Sequence, residues 1–309
     1  MIASRRAALA ALAALAAGTL AGCDGSATLD GGGKVAPTTP RPAAGGPATA
    51  GSRAAAASRT PGPVRPSAPH APPCGLTRAQ VVARYGHLRP HTWGFGGPGV
   101  VRDLPTSRRV IALTFDACGG YGGSGYDQAL ISFLRRREVP ATLFLNSRWI
   151  DANPAAFGRL AAEPLFEIAN HGTRHLPLSV TGRSAYGIGG TRNAGQVYDE
   201  VATNQAKLRR LLGVPPRFFR AGTAYCDDVA ARIVTAMGDR LVSFSVNGDG
   251  GATFTPGQVR STVTGASGGS IVICHLNHPE SGTAQGIAAA VPDLLASGYR
   301  FVRLSDELR

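Results

Sequence analysis

Short apolar runs alternate with amphipathic stretches from residue 110 to the end of the chain. The apolar runs have the length of buried strands and cover residues 110–116, 141–146, 166–169, 217–220, 241–246, 270–275 and 299–304. Apolar residues recur at helical spacing between them and predict helices over residues 126–137, 154–162, 196–212, 227–237, 256–264 and 284–297. This alternation predicts one α/β domain of parallel strands with helices outside, either a (β/α) barrel or an open doubly wound sheet.

The start of the chain has a different pattern. Residues 1–22 combine Arg5 and Arg6 with a run of Ala and Leu, which predicts a secretory signal peptide rather than a membrane span. The stretch that ends at Cys23 reads Leu-Ala-Gly-Cys and resembles the bacterial lipobox. We therefore expect Cys23 to become the lipid-modified N-terminus of an exported protein held at the cell membrane and facing the cell envelope. Ordinary signal cleavage, without lipid, is the alternative.

Two segments separate this signal from the predicted domain. Residues 23–73 are rich in Ala, Pro and Gly and have almost no large apolar side chains, which predicts a disordered tether. Residues 74–108 form a lead-in segment, in which capping-box spacing predicts a short helix at Arg78–Tyr85. The remaining residues, 109–309, make up the predicted catalytic domain.

The chain is strongly basic. Lys and Arg number 32 against 19 Asp and Glu, and loss of a signal peptide holding Arg5 and Arg6 leaves a net charge of +11. Such an excess favours anionic surroundings, which outside the membrane are wall polymers or lipid headgroups. No basic run exceeds three residues and no aromatic residues are interleaved with one, so the sequence predicts no nucleic-acid binding.

Four polar groups follow predicted strands and are the candidates for chemistry: Asp116, the pair His171 and His175, Arg220, and His275. Ligands bind at the carboxyl ends of strands in α/β folds, so we expect these side chains to meet at one edge. Histidines four residues apart share a helical face and can chelate one metal ion, zinc by default. Taken singly, each group is equally typical of a turn, a solvated surface or a satisfied core residue.

The order and context of these groups resemble the polysaccharide deacetylases of the NodB-homology type, carbohydrate esterase family four. Thr114-Phe115-Asp116 is similar to motif one, His171 to His175 to motif two, and Arg220 to Tyr225 to motif three. The stretch Val242 to Asp249 lies where motif four is expected, and Ile273-Cys274-His275 is similar to motif five.

The resemblance implies a distorted (β/α) barrel of about seven parallel strands and a divalent metal, often zinc, at which water attacks an acetyl carbonyl. It also implies the following roles: Asp116 as base, His171 and His175 as metal ligands, Arg220 as the group that orients Asp116, Tyr225 near the oxyanion, and His275 as acid. The substrate would be peptidoglycan or another acetylated polysaccharide, and the protein a monomer.

The sequence departs from this pattern at the metal. The family has two adjacent aspartates, the first a base and the second a metal ligand, but the second position here is Ala117. We therefore predict that Asp116 itself binds the metal with the two histidines, and that Asp249 or His275 removes the proton. Asp249 could also replace the lost carboxylate. The rival arrangements keep Asp116 as base with water completing the metal shell, or leave the site inactive. Motif two also has Gly172 where Ser or Thr is common.

Four cysteines remain if Cys23 carries lipid: Cys74, Cys118, Cys226 and Cys274. Export permits disulfides, so we predict at least one near the site, with a preference for Cys74–Cys118. The chain has no CxxC pair, which argues against a structural zinc knuckle.

These observations predict a metal-dependent hydrolase that removes acetyl groups from a wall or surface glycan by cleaving non-peptide C–N bonds. A glycan-binding module of the same fold that has lost catalysis is one alternative, favoured by Ala117. Hydrolysis of a smaller C–N substrate is another, favoured by the long polar loop over residues 179–195.

Overall fold

The computed structural model describes residues 75–308. The predicted signal peptide and tether, which include Cys23, lie outside these residues. Cys74, the first residue of the predicted lead-in segment and the preferred disulfide partner of Cys118, also lies outside them. Within residues 75–308, no helix has both the length and the apolar character that crossing a membrane requires.

The described residues form nine α-helices, which are α1 (Arg78–Tyr85), α2 (Gln128–Arg136), α3 (Ser147–Ala152), α4 (Pro154–Ala161), α5 (Ala194–Leu212), α6 (Asp228–Ala236), α7 (Pro256–Thr264), α8 (Thr283–Ala296) and α9 (Leu304–Glu307). The predicted helix α1 is confirmed, with the Thr77–Gln80 capping box at its start. The six helices predicted after residue 110 are confirmed to within two residues at each end. Two short helices, α3 and α9, were not predicted.

The strands are β1 (Trp93–Gly94), β2 (Val100–Val101), β3 (Val110–Ala117), β4 (Ala141–Leu145), β5 (Phe166–Asn170), β6 (Ser184–Ala185), β7 (Ile188–Gly189), β8 (Phe218–Phe219), β9 (Cys226–Asp227), β10 (Arg240–Val242), β11 (Val246–Asn247), β12 (Ile271–His275) and β13 (Arg300–Phe301). Eight of them form a parallel sheet in the order β11-β12-β3-β4-β5-β8-β10-β2, and β13 also pairs with the start of β3. The sheet curls into the distorted (β/α) barrel that the resemblance implied.

One predicted strand, residues 241–246, is split in two. Its first part, β10, pairs with β8, and its second part, β11, pairs with β12 on the other side of the barrel. Residues 243–245 lie between the two parts, and the N–H of Ser243 donates to the carbonyl of Val101 (2.8 Å). This break carries the chain from β8 to β12 and brings the two ends of the curled sheet together.

Side chains of the central strand β3 alternate between two apolar layers, as successive residues of a strand must. Ile111, Leu113, Phe115 and Ala117 are buried in the layer between sheet and helices, with residues such as Leu130. Val110 and Ala112 face the barrel interior, in a second layer with residues such as Phe144 and Phe218. Thr114 and Asp116 continue this second series. A strand buried on both faces reads as the continuous apolar run seen in the sequence.

The predicted loop over residues 179–195 contains a short hairpin, β6–β7. Its two-residue turn, Tyr186 and Gly187, has positive φ at both positions (51° and 75°), as tight hairpin turns require.

Candidate active site

The four polar groups converge at the carboxyl edge of the barrel. Asp116 and His275 are register partners on the adjacent strands β3 and β12. His171 follows β5 and Arg220 follows β8, and these two strands also pair at their ends. The convergence expected from the strand order is therefore confirmed, because parallel strands bring their carboxyl ends to the same edge.

Asp116 and Arg220 form a buried ion pair at the centre of the site. Arg220 Nη1 donates to Asp116 Oδ1 at 2.7 Å, while Asp116 Oδ2 lies 3.4 Å from His171 Nε2. Asp116 is 2% exposed and Arg220 is fully buried. Burial lowers the pKa of Arg220, and the Asp116 carboxylate opposes that shift.

The rest of the Arg220 guanidinium is held by the barrel interior. It donates to Thr114 Oγ1 (2.9 Å) and to the carbonyls of Ser243 (2.8 Å) and Val242 (3.3 Å). Its plane also lies over the Phe144 ring, 4.0 Å from the centroid. Val242 ends β10 and Ser243 begins the break before β11, so the end of the strand supplies acceptors that a continuing strand would use in its own ladder. Arg220 is therefore rigid, and it fixes Asp116.

His171 and His175 lie with ring centroids 4.8 Å apart. The spacing predicted that they share a helical face, and this prediction is wrong. Residues 171–175 form a loop, in which Gly172 and His175 have positive φ (75° and 63°). His171 Nδ1 lies 3.0 Å from the Arg220 carbonyl, which directs Nε2 into the site. Burial disfavours the charged imidazole, but the Asp116 carboxylate, Cys118 and the Arg220 carbonyl together raise the pKa of His171.

Glu200, on α5, holds this histidine loop and was missed by the sequence reasoning. Its Oε1 accepts from the backbone N–H groups of Thr173 (3.0 Å), Arg174 (2.9 Å) and Leu176 (3.2 Å). Glu200 is 3% exposed, and burial raises its pKa although these N–H groups favour the carboxylate. A β-carbon on Gly172 would lie 2.5 Å from Glu200 Oε1, which explains the glycine at this position.

Cys118 was predicted to form a disulfide, but its thiol faces the two histidines. Cys118 Sγ lies 3.9 Å from His171 Nε2, and one ligand atom each from Cys118, His171 and His175 lie within 4.8 Å of one another. Burial would raise the pKa of the thiol, but His175 and His171 outweigh burial and hold it well below its ordinary value. Among residues 75–308, Cys118, Cys226 and Cys274 are all free thiols.

His275, whose side chain is 14% exposed, forms a second pair with the buried Asp249. His275 Nδ1 lies 3.0 Å from Asp249 Oδ1, and Asp249 Oδ2 accepts from the His275 N–H (2.6 Å) and from Thr283 Oγ1 (3.0 Å). Burial opposes both charged forms, yet their mutual attraction raises the pKa of His275 well above its ordinary value and lowers that of Asp249. Both Asp249 oxygens are therefore engaged by neighbouring groups of the protein.

The Tyr225 side chain lies in an aromatic cluster beside the site. Its ring is 5.6 Å from Trp93, 5.5 Å from Phe95 and 5.5 Å from Tyr186 at the hairpin turn. Arg183 lies over the Trp93 ring at 5.1 Å, and Tyr186 is 75% exposed. The cluster joins the lead-in segment to the hairpin. The position of the Tyr225 backbone near an oxyanion stays a prediction.

The backbone before Tyr225 packs directly on the histidine loop. A β-carbon on Gly222 would collide with the His175 backbone, so only glycine fits there. Thr223 and Ala224 follow with positive φ (64° and 60°), a conformation that costs free energy and that folded proteins retain mainly at functional sites.

Comparison with known proteins agrees with this geometry. The polysaccharide deacetylase family model matches residues 103–242. A Streptomyces coelicolor protein, SCO4760, is 32% identical over 203 residues, which cover 64% of this chain and 71% of that protein. The chain belongs to the polysaccharide deacetylase family. The peptidoglycan-N-acetylglucosamine deacetylase of Bacillus cereus is 26% identical over 214 residues, which cover 68% of this chain and 93% of the relative.

Solved structures share the fold of this chain. A carbohydrate esterase family four (CE4) pseudoenzyme from Bacillus anthracis superimposes with a TM-score of 0.58 at 19% identity, covering 69% of this chain and 70% of that chain. PdaA of Bacillus subtilis, a family four carbohydrate esterase, superimposes with a TM-score of 0.55 at 18% identity, covering 74% and 88%. At these identities the likeness concerns the fold.

Proposed function

We propose that this protein removes N-acetyl groups from a cell-wall glycan with the help of a divalent metal, and that the metal is zinc. The observation that carries the proposal is the pair of buried carboxylate contacts on either side of the histidines, Asp116 with Arg220 and Asp249 with His275. The name of the Bacillus cereus relative, and a net charge of +13 for the full chain, support peptidoglycan as the substrate class.

The residues present fit a metal of the zinc type. Imidazole nitrogens and thiolate sulfur are donors that zinc prefers, and His171 has the second-sphere contact that fixes the orientation of a metal-binding histidine. Such a metal, held by the histidines, lowers the pKa of water and polarises a carbonyl.

The two carboxylate pairs supply the proton transfers. Asp116, held by Arg220 and close to His171 Nε2, would accept a proton from the attacking water. His275, whose pKa is raised by Asp249, would donate its proton to the leaving amine nitrogen. This assignment follows the rival arrangement of the sequence analysis, with Asp116 as base, rather than the prediction that Asp116 binds the metal.

The aromatic cluster gives the substrate a surface on which to rest. Sugar rings present apolar C–H faces, and Trp93, Tyr186 and Tyr225 offer rings for them to pack against. Their position beside the histidine loop would orient one sugar while its neighbour reaches the metal.

A glycan-binding module without catalysis is the second candidate, and Ala117 is the observation that favours it. Acetate release decides between the two. Purified full-length protein, loaded with zinc, is incubated with N-acetylglucosamine oligomers and with acetylated peptidoglycan. We expect acetate, loss of activity after chelation, and recovery with zinc. Peptidoglycan binding without acetate release by zinc-loaded protein would support the module instead.

Export and attachment to the membrane through lipid on Cys23 remain part of the proposal. The supporting observation is the lipobox-like stretch that ends at this cysteine. Cys23→Ser should move the protein from the membrane fraction to the soluble fraction, and unchanged fractionation would contradict the anchor.

A further inference from the structure

We propose that Cys118 is the third protein ligand of the metal, a thiolate in place of the carboxylate that Ala117 cannot supply. The inference rests on the metal of the proposed function and deepens it, because it assigns the ligand that the family pattern lacks here. It also leaves Asp116 free to act as the base.

Distances support this assignment. Cys118, His171 and His175 each place one donor atom within 4.8 Å of the other two, and Sγ is 3.9 Å from His171 Nε2. For tetrahedral zinc with sulfur at about 2.3 Å and nitrogen at about 2.05 Å, sulfur and nitrogen would be about 3.6 Å apart. The three donors therefore need only a small contraction to hold one ion.

The alternation of β3 explains why Cys118, and not residue 117, reaches the metal. Ala117 is fully buried in the layer between sheet and helices, together with Leu145 and Trp149. Asp116 lies on the opposite face of the strand, and Cys118, the first residue after the strand ends, has its thiol on the side of the two histidines. A ligand at position 118 therefore lies on the catalytic side.

The turn after Cys118 fixes this direction. Gly119 has a φ of 68°, and a β-carbon there would collide with the Trp149 backbone. Its N–H donates to the Gly123 carbonyl at 2.9 Å, so the chain folds back at once. The thiol is thereby held at the rim of the site.

Asp116 is a weaker candidate for the third ligand. Its Oδ1 is bound by Arg220. Its Oδ2 lies 3.4 Å from His171 Nε2, but Asp116 is not in the group of described residues whose donor atoms all lie within 4.8 Å of one another. An arginine bond to one oxygen steadies a carboxylate whose other oxygen can accept a proton. The geometry therefore gives Cys118 and Asp116 different tasks.

Full-length wild-type protein and three variants, Cys118→Ala, Cys118→Asp and Cys226→Ala, test this assignment. Each is stripped with chelator and reloaded with zinc or cobalt, and bound metal is then measured. We expect wild type, Cys118→Asp and Cys226→Ala to hold one zinc per chain, and Cys118→Ala to bind zinc at least tenfold more weakly. Cys226 is a matched control, since it is a buried free thiol outside the ligand group.

Cobalt gives a second readout that does not depend on activity. A thiolate bound to cobalt absorbs in the near ultraviolet by sulfur-to-metal charge transfer. Wild type and Cys226→Ala should show this band, and Cys118→Asp should bind cobalt without it.

Three outcomes would overturn the assignment. They are full zinc occupancy in Cys118→Ala, a cobalt spectrum without the sulfur band in wild type, and acetyl thioester on Cys118 in active metal-free protein, which would make the thiol a nucleophile. If wild-type protein shows the sulfur band but releases no acetate, Cys118 is supported as a metal ligand and the proposed function is contradicted.

Discussion

Arg220 Nη1 donates a 2.7 Å hydrogen bond to Asp116 Oδ1, and neither residue is more than 2% exposed. Removing one partner of a buried ion pair leaves the other charge buried and unpaired, which lowers the free energy of unfolding by about 3–5 kcal/mol. We expect Arg220→Met to lower the free energy of unfolding by that amount in urea titrations. Arg260→Met is the control, since Arg260 pairs with Asp293 at the surface and should change stability little. Equal stability of the two variants would contradict a buried pair.

The Asp116→Asn variant distinguishes between two roles for Asp116, that of the catalytic base and that of a metal ligand. If Cys118 and the histidines hold the metal, this variant should keep its zinc, while acetate release falls roughly 10²–10⁴-fold because proton abstraction is lost. Metal content and initial rates are measured on the same preparation. His175→Ala is the metal-loss control. Loss of zinc from Asp116→Asn would restore the prediction that Asp116 binds the metal.

The Asp249–His275 pair should set the alkaline limit of activity. Asp249 raises the pKa of His275 well above its ordinary value, so His275 keeps the proton it donates until that pKa is passed. In Asp249→Asn the supporting charge is gone, and we expect the alkaline limb of the kcat profile to move to lower pH. Thr283→Val removes one hydrogen bond to Asp249 but keeps the charge, so its limb should move less. An unmoved limb in Asp249→Asn would exclude His275 as the acid.

Glu200 should control metal affinity without touching the metal. Its Oε1 accepts the N–H groups that shape the loop between the two histidines. Contacts of this kind typically contribute 10–100-fold in metal affinity, so Glu200→Ala should weaken zinc binding by that factor in competition with a chelating dye. Glu200→Gln retains one oxygen and should bind nearly as wild type. Equal affinity of Glu200→Ala and wild type would show that the loop keeps its shape unaided.

Asp239 should make stability depend on pH. It lies just before β10, at the end of the strand opposite the catalytic edge, and burial raises its pKa from 3.8 to about 7. The folded chain therefore holds a proton there that the unfolded chain releases near pH 4. Stability should fall as pH rises from about 4 to about 7, by on the order of 4 kcal/mol, and then stay level.

Asp239→Asn keeps the acceptor for Gln205 Nε2 (2.7 Å) and removes the ionisable group. We expect the difference in unfolding free energy between pH 5 and pH 8 to shrink in this variant. Asp199→Asn, at the surface, should leave that difference as in wild type. A wild-type difference that Asp239→Asn does not reduce would contradict the raised pKa.

The fold was largely predictable because β3, β4 and β12 are buried on both faces and read as plain apolar runs. The split between β10 and β11 could not be predicted, because residues 241–246 have the apolar pattern of a single strand. The break allows the barrel to close, and closure depends on elements that are distant in the sequence. Strand order also located the site, since ligands lie where parallel strands end.

The details of the site depended on contacts that local sequence does not contain. The histidine spacing suggested a helix, but the loop takes its shape from Glu200, on α5, and from the positive φ of Gly172 and His175. Cys118 was taken for a disulfide partner because the sequence predicts export, which permits disulfides. The alternation along β3 was a signal already present in the sequence, and it could have indicated the thiol.

The two-residue alternation of β3 changes how related chains should be compared. In a sequence alignment, the column that contains residue 117 has an aspartate in the family and an alanine in this chain. Judged by that column alone, this chain has lost a metal ligand. In this chain Ala117 is buried between the sheet and the helices, and the next residue, Cys118, places its thiol beside the two histidines. Surveys that score catalytic competence column by column would discard such a chain as inactive. A survey by side-chain direction would retain it and would look for a sulfur, nitrogen or oxygen donor one residue further on.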